Sequence, residues 1–120
     1  MNVLGIDIGG SGVKGAIVDI KSGELLSEKI RFPTPNKPTP KKIFDGIKSN
    51  ILDELKWDGN VGCGFPGVVK KNKIYSAANI EKKWIGLNLK KKFHKKFNLR
   101  CKAINDADAA GLSEIALNPN

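Results

Sequence analysis

The residues best equipped for chemistry stand at the start of the chain. In Gly5-Ile6-Asp7-Ile8-Gly9-Gly10-Ser11-Gly12-Val13-Lys14, one carboxylate closes an apolar run, three glycines and a serine follow, and a lysine comes two residues later. Glycine allows φ > 0 and lacks a Cβ, so a phosphate can approach backbone N–H groups closely. Gly9, Gly10, Ser11, Gly12 and Lys14 are therefore candidate phosphate contacts. Asp7, at a strand end, is placed to hold a hydrated Mg²⁺, an ion that takes carboxylate oxygen together with water and phosphate. Three further polar groups follow apolar runs: Gly64-Phe65-Pro66-Gly67, Asn79, and Asn105-Asp106. Ligands of open α/β sheets collect at strand carboxyl ends, where separate polar groups converge. Taken singly, each has a plainer explanation as a turn, a loop residue or a helix cap.

Other glycine motifs fit less well. Gly10-Ser11-Gly12-Val13-Lys14-Gly15 matches G-x-G-x-x-G, but a dinucleotide loop must open a helix. Val13, Ala16, Ile17, Val18 and Ile20 read instead as a strand. The Gly-Lys-Ser/Thr ending of a Walker loop is absent. An ordinary glycine-rich hairpin with a solvated aspartate is the remaining local alternative.

The elements that must position these residues follow from periodicity and punctuation. Val3–Ile8 and Val13–Ile20 read as strands around the glycine turn, and Lys21-Ser22-Gly23 as a hairpin turn into a third strand, Glu24–Phe32. The proline-rich Pro33–Pro40 is an extended connector. Thr39 as N-cap and Pro40 at the first helical position start a helix that carries Ile43, Phe44, Ile47, Ile51, Leu52 and Leu55. Asp58-Gly59-Asn60 stops it. Val61–Phe65 is a short buried strand, and a small hairpin turns at Lys71-Asn72. Leu89, Phe93 and Phe97 mark a second helix, studded with Lys90, Lys91, Lys92, Lys95 and Lys96. Asn98 ends it, Leu99–Ile104 is a strand, and a small-residue helix follows from Ala107. The expected class is α/β: a mixed five-stranded sheet, three antiparallel strands then parallel crossovers, with helices on both faces.

The composition bounds the reading. The chain has 120 residues, enough for one domain or one lobe. Twenty-one Lys and Arg against twelve Asp and Glu give a formal charge of +9, which suits an anionic partner. Cys63 and Cys101 lack metal-site spacing and read as reduced, buried thiols of a cytoplasmic protein. No apolar run reaches membrane-spanning length, so no membrane is expected.

The motifs carry a resemblance. Gly5–Lys14 resembles the first phosphate loop of the superfamily that joins sugar kinases, actin and heat-shock ATPases. Gly64-Phe65-Pro66-Gly67, Ala78-Asn79 followed by Trp84, and Asn105-Asp106-Ala107-Asp108-Ala109-Ala110 resemble the ROK sugar kinases, in the same order and over nearly the whole chain. The resemblance implies an actin-like ATPase, ribonuclease H-like lobe over residues 1–120, the N-terminal one, with the C-terminal lobe outside this chain. It implies transfer of a phosphoryl group from polyphosphate or ATP, with Mg²⁺, to the 6-hydroxyl of glucose. Asp106 would be the general base. Asn79 and Asn105 would bind sugar hydroxyls, with Gly64, Pro66 and Gly67 in the loop over the sugar. Asp7 would organise Mg²⁺ through water, with Gly9–Gly12 and Lys14 at the transferred phosphate. Such a lobe exposes a docking face and can pair as a homodimer.

Two other functions compete. Ribonuclease H-type nucleases also begin with three antiparallel strands and an aspartate on the first, and +9 suits nucleic acid. The glycine turn has no evident purpose in such an enzyme, so a nucleic-acid partner is not expected. Sugar-sensing ROK regulators place a helix-turn-helix ahead of the first strand, and none precedes it here. The basic helix 89–97 either guides a phosphate chain or is a solvated face that snorkels its lysines.

Overall fold

The structure, a computed structural model, describes residues 2–77 and 80–105, with Ile104 and Asn105 described through their backbone. In chain order the elements are β1 (Asn2–Ile8), β2 (Gly12–Asp19), β3 (Ile30–Pro33), α1 (Pro40–Ile47), a π-helical turn (Lys48–Leu52) and α2 (Asp53–Leu55). Then come β4 (Val61–Phe65), β5 (Val69–Lys70), β6 (Lys73–Ile74), a 3₁₀ turn (Lys82–Trp84), α3 (Leu89–Phe97) and β7 (Cys101–Asn105). The expected mixed sheet is present, in the order β3-β2-β1-β4-β7. The first three strands are antiparallel neighbours, and β4 and β7 run parallel to β1.

The two faces of the sheet differ. Leu4, Ile6 and Ile8 of β1, with Val13, Val61, Cys63 and Phe65, meet Ile43, Phe44, Ile47 and Ile51 from the first helical run and Leu89 and Phe93 from α3. Val3, Ala16 and Val18 form a separate cluster on the other face. The described helices thus share one face. The helix expected after Asp106 lies outside the described residues.

Two expectations need correction. The third strand does not begin at Glu24. Leu25 makes only an isolated bridge to Val18, and regular pairing starts at Ile30. Ser27 Oγ accepts the Ile17 N–H at 2.9 Å, a donor that a ladder would give to a carbonyl. Leu25 and Leu26 are both exposed, so strand alternation is lost there. The first helix also ends earlier than Asp58: Lys56 adopts the left-handed conformation (φ 51°) and closes it after Leu55. Midway, Ser49 Oγ and Asn50 Nδ2 donate to the carbonyls of Asp45 and Gly46, competing with the backbone ladder where it widens to the π turn.

Elsewhere local chemistry acts as read. Thr39 Oγ1 accepts the Lys42 N–H, with Pro40 in the first turn. Lys71 and Asn72 both have positive φ (50° and 67°), the pairing a tight two-residue hairpin needs. Cys63 and Cys101 are buried and are not joined in a disulfide.

Trp84 locks the layers together. It is fully buried, with ring centroids 5.1 Å from Phe65 and 6.0 Å from Phe44. Its Nε1–H donates to the Pro38 carbonyl at 2.7 Å, fastening the proline connector to the core. Trp84→Phe keeps a ring but removes that donor. It should cost about 1–3 kcal/mol of stability, read as a lower urea midpoint at unchanged slope.

Candidate functional site

Because β1, β4 and β7 are parallel, their carboxyl ends share one edge of the sheet. Asp7, Phe65 and Asn105 stand there, and the turns that follow β1 and β4 lie beyond them. On the face away from the helices, register places Gly64 of β4 beside Asp7, Asp7 beside Lys14 of β2, and Lys14 beside Arg31 of β3.

The glycine turn is tight. Gly9 N–H donates to the Gly12 carbonyl at 3.0 Å, and Thr34 Oγ1 donates to the Gly9 carbonyl at 2.6 Å. None of Gly9, Gly10 and Gly12 has a left-handed φ. What the glycines provide is space. A Cβ on Gly9 would stand 2.9 Å from the Gly12 carbonyl oxygen, and one on Gly12 would stand 2.8 Å from Arg31 Nε. Gly10 and Ser11 form an exposed tip, and their amides have no acceptor among the described residues.

Asp7 is the exceptional group. Its Oδ1 is buried without a hydrogen-bond partner. Burial pushes its carboxyl above the usual carboxylate range, and the nearby Lys14 ammonium partly offsets this. A buried carboxylate oxygen with no donor, beside a lysine on the next strand and close to the glycine turn, fits a magnesium ion held by one carboxylate, water and phosphate. Groups of three or more metal-ligating side chains are absent among the described residues.

The loop that follows β4 is strapped down. Gly67 N–H donates to the Phe65 carbonyl at 2.9 Å, Val68 N–H to Ser76 Oγ at 2.9 Å, and Tyr75 N–H to the Val68 carbonyl at 2.8 Å. A Cβ on Gly67 would lie 1.9 Å from the Ser76 carbonyl oxygen, so only glycine fits. Gly64, Pro66 and Gly67 are thereby held at the same edge as Asp7, and Phe65 pairs with Asn105. Asn79 and Asp106 lie outside the described residues.

Three residues were missed in the sequence. Arg31 joins the row of Asp7 and Lys14, Thr34 clamps the turn, and Asn72 Oδ1 accepts the Ala103 N–H at 2.8 Å. That last bond ties the small hairpin to the strand that ends at Asn105. The basic helix lies on the helix-covered face. Its Lys95 and Lys96 reach the amino-terminal edge of the sheet, where with Lys48, Trp57 and Leu99 they line a hollow of about 570 Å³.

The state of Asp7 predicts a trade between stability and function. Between the ordinary carboxylate range and its raised value, the folded chain holds a proton that the unfolded chain releases. Stability therefore falls as pH rises through that window. Asp7→Asn removes this loss. It should melt a few degrees higher than the parent at pH 7, and the gain should vanish below about pH 4. Thermal melts across pH check it.

The ROK family profile matches residues 3–119. A polyphosphate glucokinase of Mycobacterium tuberculosis is 40% identical over 112 residues, which are 92% of this chain and 42% of that protein. A Streptomyces coelicolor glucokinase is 34% identical over 117 residues, 92% of this chain and 34% of that protein. The inorganic polyphosphate/ATP-glucomannokinase of Arthrobacter sp. strain KM superposes with a TM-score of 0.84 at 37% identity, over 97% of this chain and 48% of that one. A ROK family glucokinase from Streptomyces griseus, solved with glucose and AMPPNP, gives 0.80 at 30% identity, over 98% and 37%. The chain spans less than half the length of each of these relatives. These neighbours are sugar kinases of the actin-like ATPase fold, and the nuclease alternative gives way to them. By sequence profile and by the order of its strands, the chain belongs to the ROK family.

Proposed function

We propose that this chain is the N-terminal lobe of a kinase that transfers a phosphoryl group from polyphosphate or ATP to the 6-hydroxyl of glucose. The observation that carries the reading is the buried, partnerless Asp7 Oδ1 beside the glycine turn, on the strand-end edge that also holds Pro66-Gly67 and Asn105. The relatives' names support the donor and acceptor classes.

Phosphoryl transfer depends on positioning and charge neutralisation more than on covalent chemistry by the protein. In this reading Asp7 holds Mg²⁺ through water, and the ion, when bound, neutralises charge on the donor phosphates. The exposed tip at Gly10 and Ser11 offers amides to the phosphate, and Lys14 adds a cation one strand away from Asp7. Gly64, Pro66 and Gly67 cover the sugar, and Asn79 and Asn105 take its hydroxyls. Asp106 accepts the proton of the 6-hydroxyl as the hydroxyl oxygen attacks the donor's terminal phosphorus, and the bond to the bridging oxygen breaks so that the shortened donor leaves with its electron pair. The adjacent lobe supplies the rest of the donor site, and a homodimer is compatible with the reading. No described helix is long and apolar enough to cross a membrane. Two buried cysteines outside any disulfide suit the cytoplasm.

The test is kinetic, in the polypeptide that carries both lobes. Asp106→Asn should lower kcat by about 10²–10⁴-fold while glucose binding stays within a few-fold, because asparagine keeps the shape but cannot take the proton. Asn79→Ala should weaken glucose binding more than it slows chemistry. Asp108→Asn should be milder than Asp106→Asn. Near-normal kcat in Asp106→Asn would remove it as the base. The 120 residues alone should show no appreciable turnover of glucose with either donor.

A further inference from the structure

Arg31 has a place in the site that its sequence position does not suggest. It lies on β3, the end strand of the sheet order among the described residues. It pairs with Lys14, which pairs with Asp7, which pairs with Gly64. The four positions form one row across the sheet, from the sugar loop to the open edge. Adjacent paired strands lie about 5 Å apart, so the row advances in steps of that size.

The arginine side chain does not simply stand out from this row. Its Nε, Cζ and one terminal nitrogen lie 2.8–3.3 Å from where a Gly12 Cβ would be. Gly12 is two residues before Lys14 on β2, toward the glycine turn. The guanidinium therefore leans along the sheet into the turn, and the missing side chain at position 12 makes room for it. Arg31 is exposed and makes no ion pair among the described residues, where the pairs found are Lys41–Asp45 and Lys48–Asp53. A planar guanidinium held in this way, with no carboxylate on it, is suited to a phosphate group.

We propose that Arg31 is a donor-binding residue, which holds a phosphoryl group further along a linear polyphosphate than the group that is transferred. The donor then lies across β1, β2 and β3 and leaves over the edge of β3. The inference rests on the kinase reading and deepens it. The transferred group sits at Asp7 and the glycine turn, the next at Lys14, and later ones at Arg31. β3 is the end strand of the sheet among the described residues, so a longer phosphate chain continues past it. The basic helix plays no part in this path, since α3 packs on the opposite face of the sheet.

The test is direct binding by calorimetry to the polypeptide that carries both lobes, with Mg²⁺ present. The probes are pyrophosphate, tripolyphosphate and long-chain polyphosphate. The variants are Arg31→Gln, Arg31→Lys, Lys14→Gln and a Lys95→Gln/Lys96→Gln control, each checked for parent-like melting. Arg31→Gln should weaken long-chain polyphosphate by about tenfold and leave pyrophosphate within about twofold. Arg31→Lys should fall between, because it keeps the charge and loses the fork. Lys14→Gln should weaken all three probes, and the control should weaken none by more than about twofold. Unchanged long-chain binding in Arg31→Gln, with Lys14→Gln impaired, would overturn the Arg31 assignment and leave the kinase site standing. Equal loss of all three probes in Arg31→Gln, or an equal loss in the α3 control, would reduce its effect to general charge and overturn it too. Absence of binding by the parent chain, or insensitivity to both Lys14 and Arg31, would overturn the phosphate site itself.

Discussion

The pairing of β1 with β2 is the constraint on which the rest depends. It sets Asp7 opposite Lys14 and leaves one carboxylate oxygen buried without a donor. A fold selected for stability alone would place an apolar residue or a paired polar one there, because burying a charged group unsatisfied is costly. Everything around Asp7 keeps that carboxylate in place. β1 is paired on both sides, so it cannot slip without breaking two ladders. A slip of one residue would also carry Leu4, Ile6 and Ile8 out of the helix-covered core.

Around this strand, glycine is used mainly as absent volume. Gly15 takes the methyls of Ile51, whose nearest carbons stand 2.9 Å from where a Cβ would be, and so lets the first helical run settle on β2. Gly46 does the same for Phe32 from the helix side. Gly67 lets the sugar-side turn touch the Ser76 backbone, and Gly12 receives the Arg31 guanidinium. The same device therefore serves packing on one face and close backbone and side-chain approach at the strand-end edge. It also explains why the G-x-G-x-x-G spelling is accidental here: its last glycine answers to a helix packed over a strand, not to a helix that begins at the loop.

The core and the strand ends were legible because they rest on periodicity and on local stop signals. Ile43, Phe44, Ile47 and Ile51 repeat at helical spacing and all are buried. Thr39 and Asn98 cap as their types suggest, and Asn98 adopts the left-handed conformation that ends α3. What was not legible depends on register over several residues. The isolated Val18–Leu25 bridge, continued as an unbroken hairpin, would put Lys29 opposite Lys14. The irregular stretch at Ser27 and Glu28 shifts the pairing, and Arg31 arrives there instead. Nothing in the local sequence announces a two-residue offset held by a serine hydroxyl. The roles of Asn79 and Asp106 came from the family resemblance alone, and both lie outside the described residues.

The basic charge also separates into two populations once the faces are known. Lys90, Lys91, Lys92, Lys95 and Lys96 sit on a helix whose buried residues, Leu89 and Phe93, commit it to the core. Their positions follow from amphipathicity, since a helix that buries those residues must show its remaining positions to solvent. Lys14 and Arg31 are fewer, yet neither is explained by helix patterning. They occur on strands, on the face away from the described helices, in register with the carboxylate whose buried oxygen lacks a partner among the described residues. A large net charge raises the concentration of any polyanion near the molecule, but without orienting it. On the proposed reading, Lys14 and Arg31, one strand apart beside the glycine turn, give it a direction, so the count of lysines says less about the donor than the register of β2 with β3 does.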